Sequence, residues 1–236
     1  VKRQKQSPIR VVIGNPPYSV NDNPVPYPNL DDRIRTTYAE RSTATLKNSL
    51  YDSYIRALRW ASDRINAKGV VGFVSNGAFI DGNAMEGLRA CLAEEFSSIC
   101  VFNLRGNQRT SGETSRMEGG KIFGSGSRAG IAISLFIKNP DKVGKCELFY
   151  HDIGDYLDRE EKLRIIRTFQ SLNGLHREKK WQFITPNANH DWINQRDPAF
   201  EAFVVLGDKD DGTSVVFEDY SSGVKTNRDP WRYNFS

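Results

Sequence analysis

An α/β sheet with a C-terminal α+β extension is the fold class this sequence predicts, and three observations carry the prediction. Short β-branched runs recur at residues 9–13, 69–74 and 131–137, each bounded by a turn residue. Between them lie stretches whose apolar residues repeat every three or four positions, as an amphipathic helix requires. At 236 residues, 38% of them hydrophobic, the chain can also fill one sizeable core with an appended piece.

Ile9-Arg10-Val11-Val12-Ile13, ended by Gly14, reads as a buried strand. Residues 15–29 then hold Pro16, Pro17, Pro24, Pro26 and Pro28, so they form a long loop at that strand's carboxyl end. Over residues 45–66, Leu50, Tyr54, Leu58, Ala61 and Ile65 recur at helical spacing, and Lys68-Gly69 stops the helix. Residues 69–74 are a second buried strand, followed by a Ser75-Asn76-Gly77 turn. Residues 85–96 form the next helix, with Leu88, Leu92 and Phe96 in register, and residues 99–104 the third strand. Residues 105–128 are rich in Gly, Ser, Arg and Thr without periodicity, which predicts a long polar loop. Residues 131–137 are the fourth strand, apolar except for Ser134.

Beyond Pro140 the texture changes. A short strand is predicted at 146–150, a charged amphipathic helix at 158–172 and irregular polar chain at 173–198. A short helix near 200–206 and a strand at 214–217 follow. A boundary near residue 150 separates residues 1–150 from residues 151–236.

Composition excludes several classes. No stretch approaches the ~18 uncharged apolar residues of a membrane-spanning helix. The 4 Trp, 9 Tyr and 13 Phe are too many for a solvated coil. A net charge of +4 permits nucleic acid as a partner without demanding it. Cys91, Cys100 and Cys146 are odd in number and scattered, and His151, His176 and His190 lie at no metal-ligand spacing. A disulfide framework is excluded, and a reducing cytoplasm fits. No signal peptide is read, and Val1 in place of an initiator Met hints at a piece of something longer.

The chemistry concentrates in Asn15-Pro16-Pro17-Tyr18, directly after a hydrophobic strand and before a loop, a helix and the strand at 70–74. In that context the string resembles the catalytic motif of adenine-N6 methyltransferases, which use S-adenosylmethionine; a Pro-rich turn is the bland alternative. The residue types also make physical sense. An adenine amino group is a poor nucleophile because its lone pair is delocalised into the ring. An Asn side-chain oxygen and a carbonyl fixed by a Pro-Pro backbone can accept both N–H bonds, turning the nitrogen toward tetrahedral geometry. Tyr18 offers a face on which an extruded base can stack.

Leu50-Tyr51-Asp52-Ser53-Tyr54, Gly72-Phe73-Val74-Ser75-Asn76 and the stretch from Leu88-Arg89 to Phe96 are similar to successive segments of type ISP and related type IIG-like single-chain restriction-modification enzymes. The resemblance covers residues 8–140. It implies the later strands of a Rossmann-like S-adenosylmethionine-dependent methyltransferase sheet, lying together on one side, with strand 9–13 exposed where the other half pairs. In the family a strand like residues 122–138 closes the sheet, and an aromatic near its start helps hold the flipped base. Phe123 stands there, with core burial as its alternative. The implied partners are double-stranded DNA and the rest of a parent polypeptide carrying nuclease, helicase, cofactor-binding half and recognition domain.

One departure is plain. The family binds its cofactor through an earlier strand and an aromatic-x-Gly-x-Gly turn, and only eight residues precede Ile9. Phe123-Gly124-Ser125-Gly126 matches the glycine pattern but follows the catalytic motif, and it reads as a loop. Asn15 is thus the one cofactor-adjacent residue, and the isolated piece is expected to be inactive. Arg105 and Arg109, with Arg116, Lys121 and Arg128, are placed to track a DNA backbone, simple loop flexibility being the alternative. Lys225 and Arg228, beside Trp231 and Tyr233, resemble the entry to a target-recognition region and could meet phosphates and bases; an ordinary solvated loop is the other reading. Three rival functions stand beside DNA adenine methylation: methylation of RNA adenine or protein glutamine, a DNA-binding or assembly module that kept the fold without catalysis, and a bare scaffold.

Overall fold

The structure is a computed structural model that describes residues 8–17, 27–124, 127–197, 199, 202–204, 206–207 and 215–217. It divides into two units, Val1–Gln195 and Arg196–Ser236.

In the first unit β1 (Val11–Gly14) leads to α1 (Pro28–Ile34), where Pro28 takes the first turn, the position at which a missing N–H is tolerated. α1 runs on into a π-helical turn, Arg35–Ala39, and together they bury Ile34 and Tyr38. α2 spans Ser53–Arg64 and begins where the Asp52 side chain accepts from Tyr54 N. The helix expected from residue 45 therefore starts at Ser53, after a 3-10 turn at Asn48–Tyr51. β2 (Gly69–Asn76), α3 (Glu86–Glu95), β3 (Ser98–Arg105) and β4 (Ile131–Lys138) fall where their apolar patterns place them.

The stretch expected as a plain polar loop, 105–128, contains α4 (Gly112–Glu118). β5 (Glu147–Asp152) and α5 (Arg159–Phe169) follow, the latter opened by a reciprocal capping box between Asp158 and Glu161. Residues expected to be irregular hold α6 (Leu172–Arg177) and β6 (Gln182–Ile184).

Six strands form one sheet in the order β1-β2-β4-β3-β5-β6. β1 runs parallel to β2 and β3 parallel to β5, while β4 lies antiparallel between β2 and β3. The later strands do lie together. β4, however, is wedged into the interior rather than closing the rim, because all eight of its residues pair with β2 on one side and seven of them with β3 on the other. The sheet does not stop at residue 150, since β5 and β6 continue it.

One face buries Val71, Phe73, Ile99, Val101 and Phe136 against Leu58 of α2 and Leu88 and Leu92 of α3. The other face has a smaller cluster, with Phe102, Leu104 and Ile131 beneath Ile165, Ile166 and Phe169 of α5. That cover does not reach β1. Val11 and Ile13 alternate with the core-facing Val12, and they are 57% and 81% exposed. β1 pairs only with β2, so its outer edge is unpaired among the described residues. No helix among the described residues is long and apolar enough to cross a membrane.

In the second unit Phe217 N donates to Leu206 O at 2.8 Å. Of the helix expected near 200–206, residues 200, 201 and 205 lie outside the described residues and Ala202 lies in a 3-10 turn; of the strand expected at 214–217, residues 215–217 are described, with Val215 in an isolated bridge.

Candidate active site at the carboxyl ends of the strands

Parallel pairing of β1 with β2 brings their carboxyl ends to one rim of the sheet. Gly14 lies opposite Phe73, so Asn15 leaves β1 beside the last residues of β2. Asn15 and Pro17 are exposed and Pro16 is buried, which anchors the turn through one proline ring and leaves the amide open. Tyr18 lies outside the described residues.

Farther along the rim, β2 ends at Asn76, whose buried side chain accepts from Ala78 N at 3.0 Å and caps a 3-10 turn. A polar cleft of about 180 Å³ opens there, lined by Asn76, Asp81, Asn103, Asn107, Arg109 and Glu118 among others.

The two arginines expected on DNA have different surroundings. Arg105 sits at φ +55° at the end of β3 and is turned back onto β5. Its Nε donates to Asp152 Oδ1 at 2.7 Å and its second arm meets Asp155, leaving the side chain 21% exposed. Burial works against the guanidinium charge, but the two carboxylates outweigh it and hold the pKa above its ordinary value. Tyr150 OH donates to the other oxygen of Asp152 at 3.0 Å and accepts from Asn103 Nδ2 at 3.0 Å, completing a closed network. Arg109 is exposed, and only its backbone N–H is engaged, donating to Asn107 Oδ1 at 3.0 Å. Its guanidinium has no partner among the described residues.

The insert between β3 and β4 is tied at both ends. Gln108 N donates to Arg128 O at 2.8 Å while an Arg128 guanidinium nitrogen donates to Gln108 O at 2.6 Å. Asn107 N donates to Glu118 Oε2 at 2.8 Å, and Tyr156 N to Met117 O at 3.1 Å. Gly119, at φ +66°, packs so closely on Leu157 O that a Cβ would collide with it.

Ile122 enters the core, and Phe123 beside it is 37% exposed. Ser125, Gly126, Lys225 and Arg228 lie outside the described residues. Sequence reasoning missed Lys162, Asp152 and Tyr150, whose roles depend on contacts 42 to 47 positions away.

Among the described residues no group of three or more His, Cys, Asp or Glu could hold a metal. Cys91, Cys100 and Cys146 are free thiols, and burial pushes each up to about 11.

Solved structures with the same geometry settle the family. The chain superimposes on the ATP-dependent type ISP restriction-modification enzyme LlaBIII bound to DNA with a TM-score of 0.89 and 45% identity over 98% of its length. A nuclease-deletion mutant of the type ISP enzyme LlaGI, in complex with a DNA substrate mimic, matches at 0.87 with 48% identity, again over 98%. The chain belongs to the type ISP restriction-modification enzymes. DrdV, solved as a DNA complex, matches at 0.84 with 34% identity over the same share. This chain spans 15%, 18% and 23% of those three chains respectively. No protein-family model and no curated protein matches it.

Proposed function

We propose that this chain is the catalytic half of a DNA adenine-N6 methyltransferase inside a larger restriction-modification enzyme. The observation that carries the reading is Asn15-Pro16-Pro17 at the carboxyl end of the edge strand β1, on the same rim as the polar cleft and the arginine-bearing insert. Asn15 accepts an N–H of the target amino group, and the Pro16-Pro17 backbone holds a carbonyl for the second. Both acceptors are rigid before the reaction, so they stabilise the developing charge without reorganising. Tyr18 and Phe123 supply faces for a base taken out of the duplex. Arg109, Lys225 and Arg228 meet the DNA backbone.

S-adenosylmethionine supplies the methyl group. The described residues fit only one border of a cofactor site: the rim cleft of about 180 Å³ is below the roughly 300 Å³ of a typical ligand pocket. Asn15, which does not line that cleft, is the residue proposed to stand beside the cofactor, and the exposed Val11 and Ile13, on an edge unpaired among the described residues, are where the cofactor-binding half of the same polypeptide packs. The chain alone is accordingly inactive, and residues 151–236 lead from the catalytic part toward target recognition. Nuclease, helicase and recognition parts of the parent, together with duplex DNA, are its partners, and its free thiols suit a reducing cytoplasm.

Incubating the intact enzyme with duplex DNA and labelled cofactor, then digesting the DNA to nucleosides, tests this. Label in N6-methyladenine is the expected result. Label in a cytosine derivative, in RNA or in protein glutamine instead would remove the reading.

A further inference from the structure

We infer that Lys162 and Arg159, on the first turn of α5, are positioning residues that set the insert's return arm and with it Phe123. The inference rests on the proposed base methylation, and it concerns residues well away from Asn15 in sequence.

Three alternate carbonyls of the return arm are held from one face of one helix. Lys162 Nζ donates to Glu118 O at 2.7 Å and to Gly120 O at 2.9 Å. Arg159 Nε donates to Ile122 O at 3.0 Å. Positions 159 and 162 are three apart, so both side chains leave α5 on the same side. Gly120 N adds a bond to Leu157 O at 2.9 Å, and the close packing of Gly119 on the same carbonyl leaves the arm no room to slide. The capping box of Asp158 and Glu161 in turn fixes the start of α5.

Lys162 is 0% exposed, so its ammonium cannot reach a phosphate. A buried cation with no acceptors would be strongly unfavourable, and its two carbonyl bonds are what make the position tolerable. The residue after Ile122 is Phe123, partly open to solvent, to which the proposed function gives the holding of the extruded base. A displacement of about 1 Å in a reacting arrangement is worth about a hundredfold in rate. The brace therefore acts on catalysis through the arm, without touching substrate.

The test uses the intact enzyme carrying Lys162→Met or Arg159→Gln, with 2-aminopurine at the target adenine. Arg159 lies on the surface, so its variant folds even if Lys162→Met does not. The expected result is loss of the flipping fluorescence and a ten- to hundredfold lower single-turnover methylation rate, on the order set by such displacements. Duplex affinity and its salt dependence stay as in the wild type. Wild-type flipping and rate in a folded variant would overturn the inference, because a merely structural pin lowers thermal stability without moving the fluorescence. Asn15→Ala run in parallel separates the two ideas. If it abolishes methylation while both brace variants behave as wild type, the brace alone is wrong; if it methylates normally, the reaction assignment falls and takes the brace with it.

Discussion

Arg105 and Asp152 close the carboxyl ends of β3 and β5 on each other, Nε to Oδ1 at 2.7 Å, with Asp155 on the guanidinium's other arm. A cation so engaged has little to release to a DNA phosphate, whereas the Arg109 guanidinium nearby has no partner among the described residues. The two should separate experimentally. Arg109→Ala should reduce the slope of log affinity against log salt by about 0.9, the value for one lost phosphate contact. Arg105→Ala should leave the slope unchanged and instead cost about 1–3 kcal/mol of stability, because Asp152 keeps its burial and loses its charged partner. DNA titrations over a salt series, with thermal melts of both variants, measure the difference. Equal slope changes would show that Arg105 also leaves its carboxylates to bind DNA.

Arg89 makes a second separable case. It is buried on α3 and donates to His190 O at 2.8 Å, Gly82 O at 2.9 Å and Asp191 Oδ1 at 2.9 Å, tying a loop a hundred positions away onto the helix. Arg89→Met should destabilise by about 3–5 kcal/mol, the usual cost of removing one partner of a buried ion pair. Denaturant unfolding reads this directly, and a loss below 1 kcal/mol, on the order of an exposed pair, would show the site to be wetter than its burial indicates.

The dependence of stability on pH should carry a signature of Lys162. Burial, the first cause, pulls its pKa from the usual 10.5 down to about 8, against the attraction of Glu118 and Asp152 and with a smaller push from Arg105. Between those two values the unfolded chain binds the extra proton, so stability rises with pH across that window. Below pH 8 the buried ammonium carries its full penalty. The neutral amine still has two N–H groups for two carbonyls, so the brace survives deprotonation. Wild type should therefore gain stability relative to Lys162→Met between pH 8 and 10, as unfolding midpoints at the two values would show. Parallel pH curves would place the shift elsewhere.

Val11 and Ile13 present an apolar strip on an edge strand whose outer side is unpaired among the described residues. Such an edge invites association. Separated from any larger polypeptide, the chain should self-associate as its concentration rises, and Ile13→Lys should weaken this in sedimentation velocity. A monomer at all concentrations would mean that other residues cover the strip.

Much of the sheet is legible in the sequence, for a local reason. β2 and β4 are largely apolar runs because both faces of each strand are largely covered, and α3 shows its helical period. α1 is harder to see: Leu30, Ile34 and Tyr38 have the right spacing, but Pro28 and the prolines before it read as loop, although proline is welcome at a helix start. β6 is three residues long at an edge, too short for a period. The wedging of β4 between β2 and β3 is a pairing choice that no local pattern encodes. At the site, Asn15 is legible because a motif is contiguous. The different fates of Arg105 and Arg109 are not, since they turn on Asp152 and Asp155, some fifty positions away.

The central assignment is the role of the Asn15 amide, and single-turnover methylation of a hemimethylated duplex by the intact enzyme measures it most directly. Loss of one preorganised acceptor typically costs about 3–4 kcal/mol, or roughly two to three decades in rate. Asn15→Ala should show that loss with DNA affinity nearly unchanged, and no aromatic substitution at Tyr18 should restore it. Methylation by Asn15→Ala at the wild-type rate would contradict the assignment.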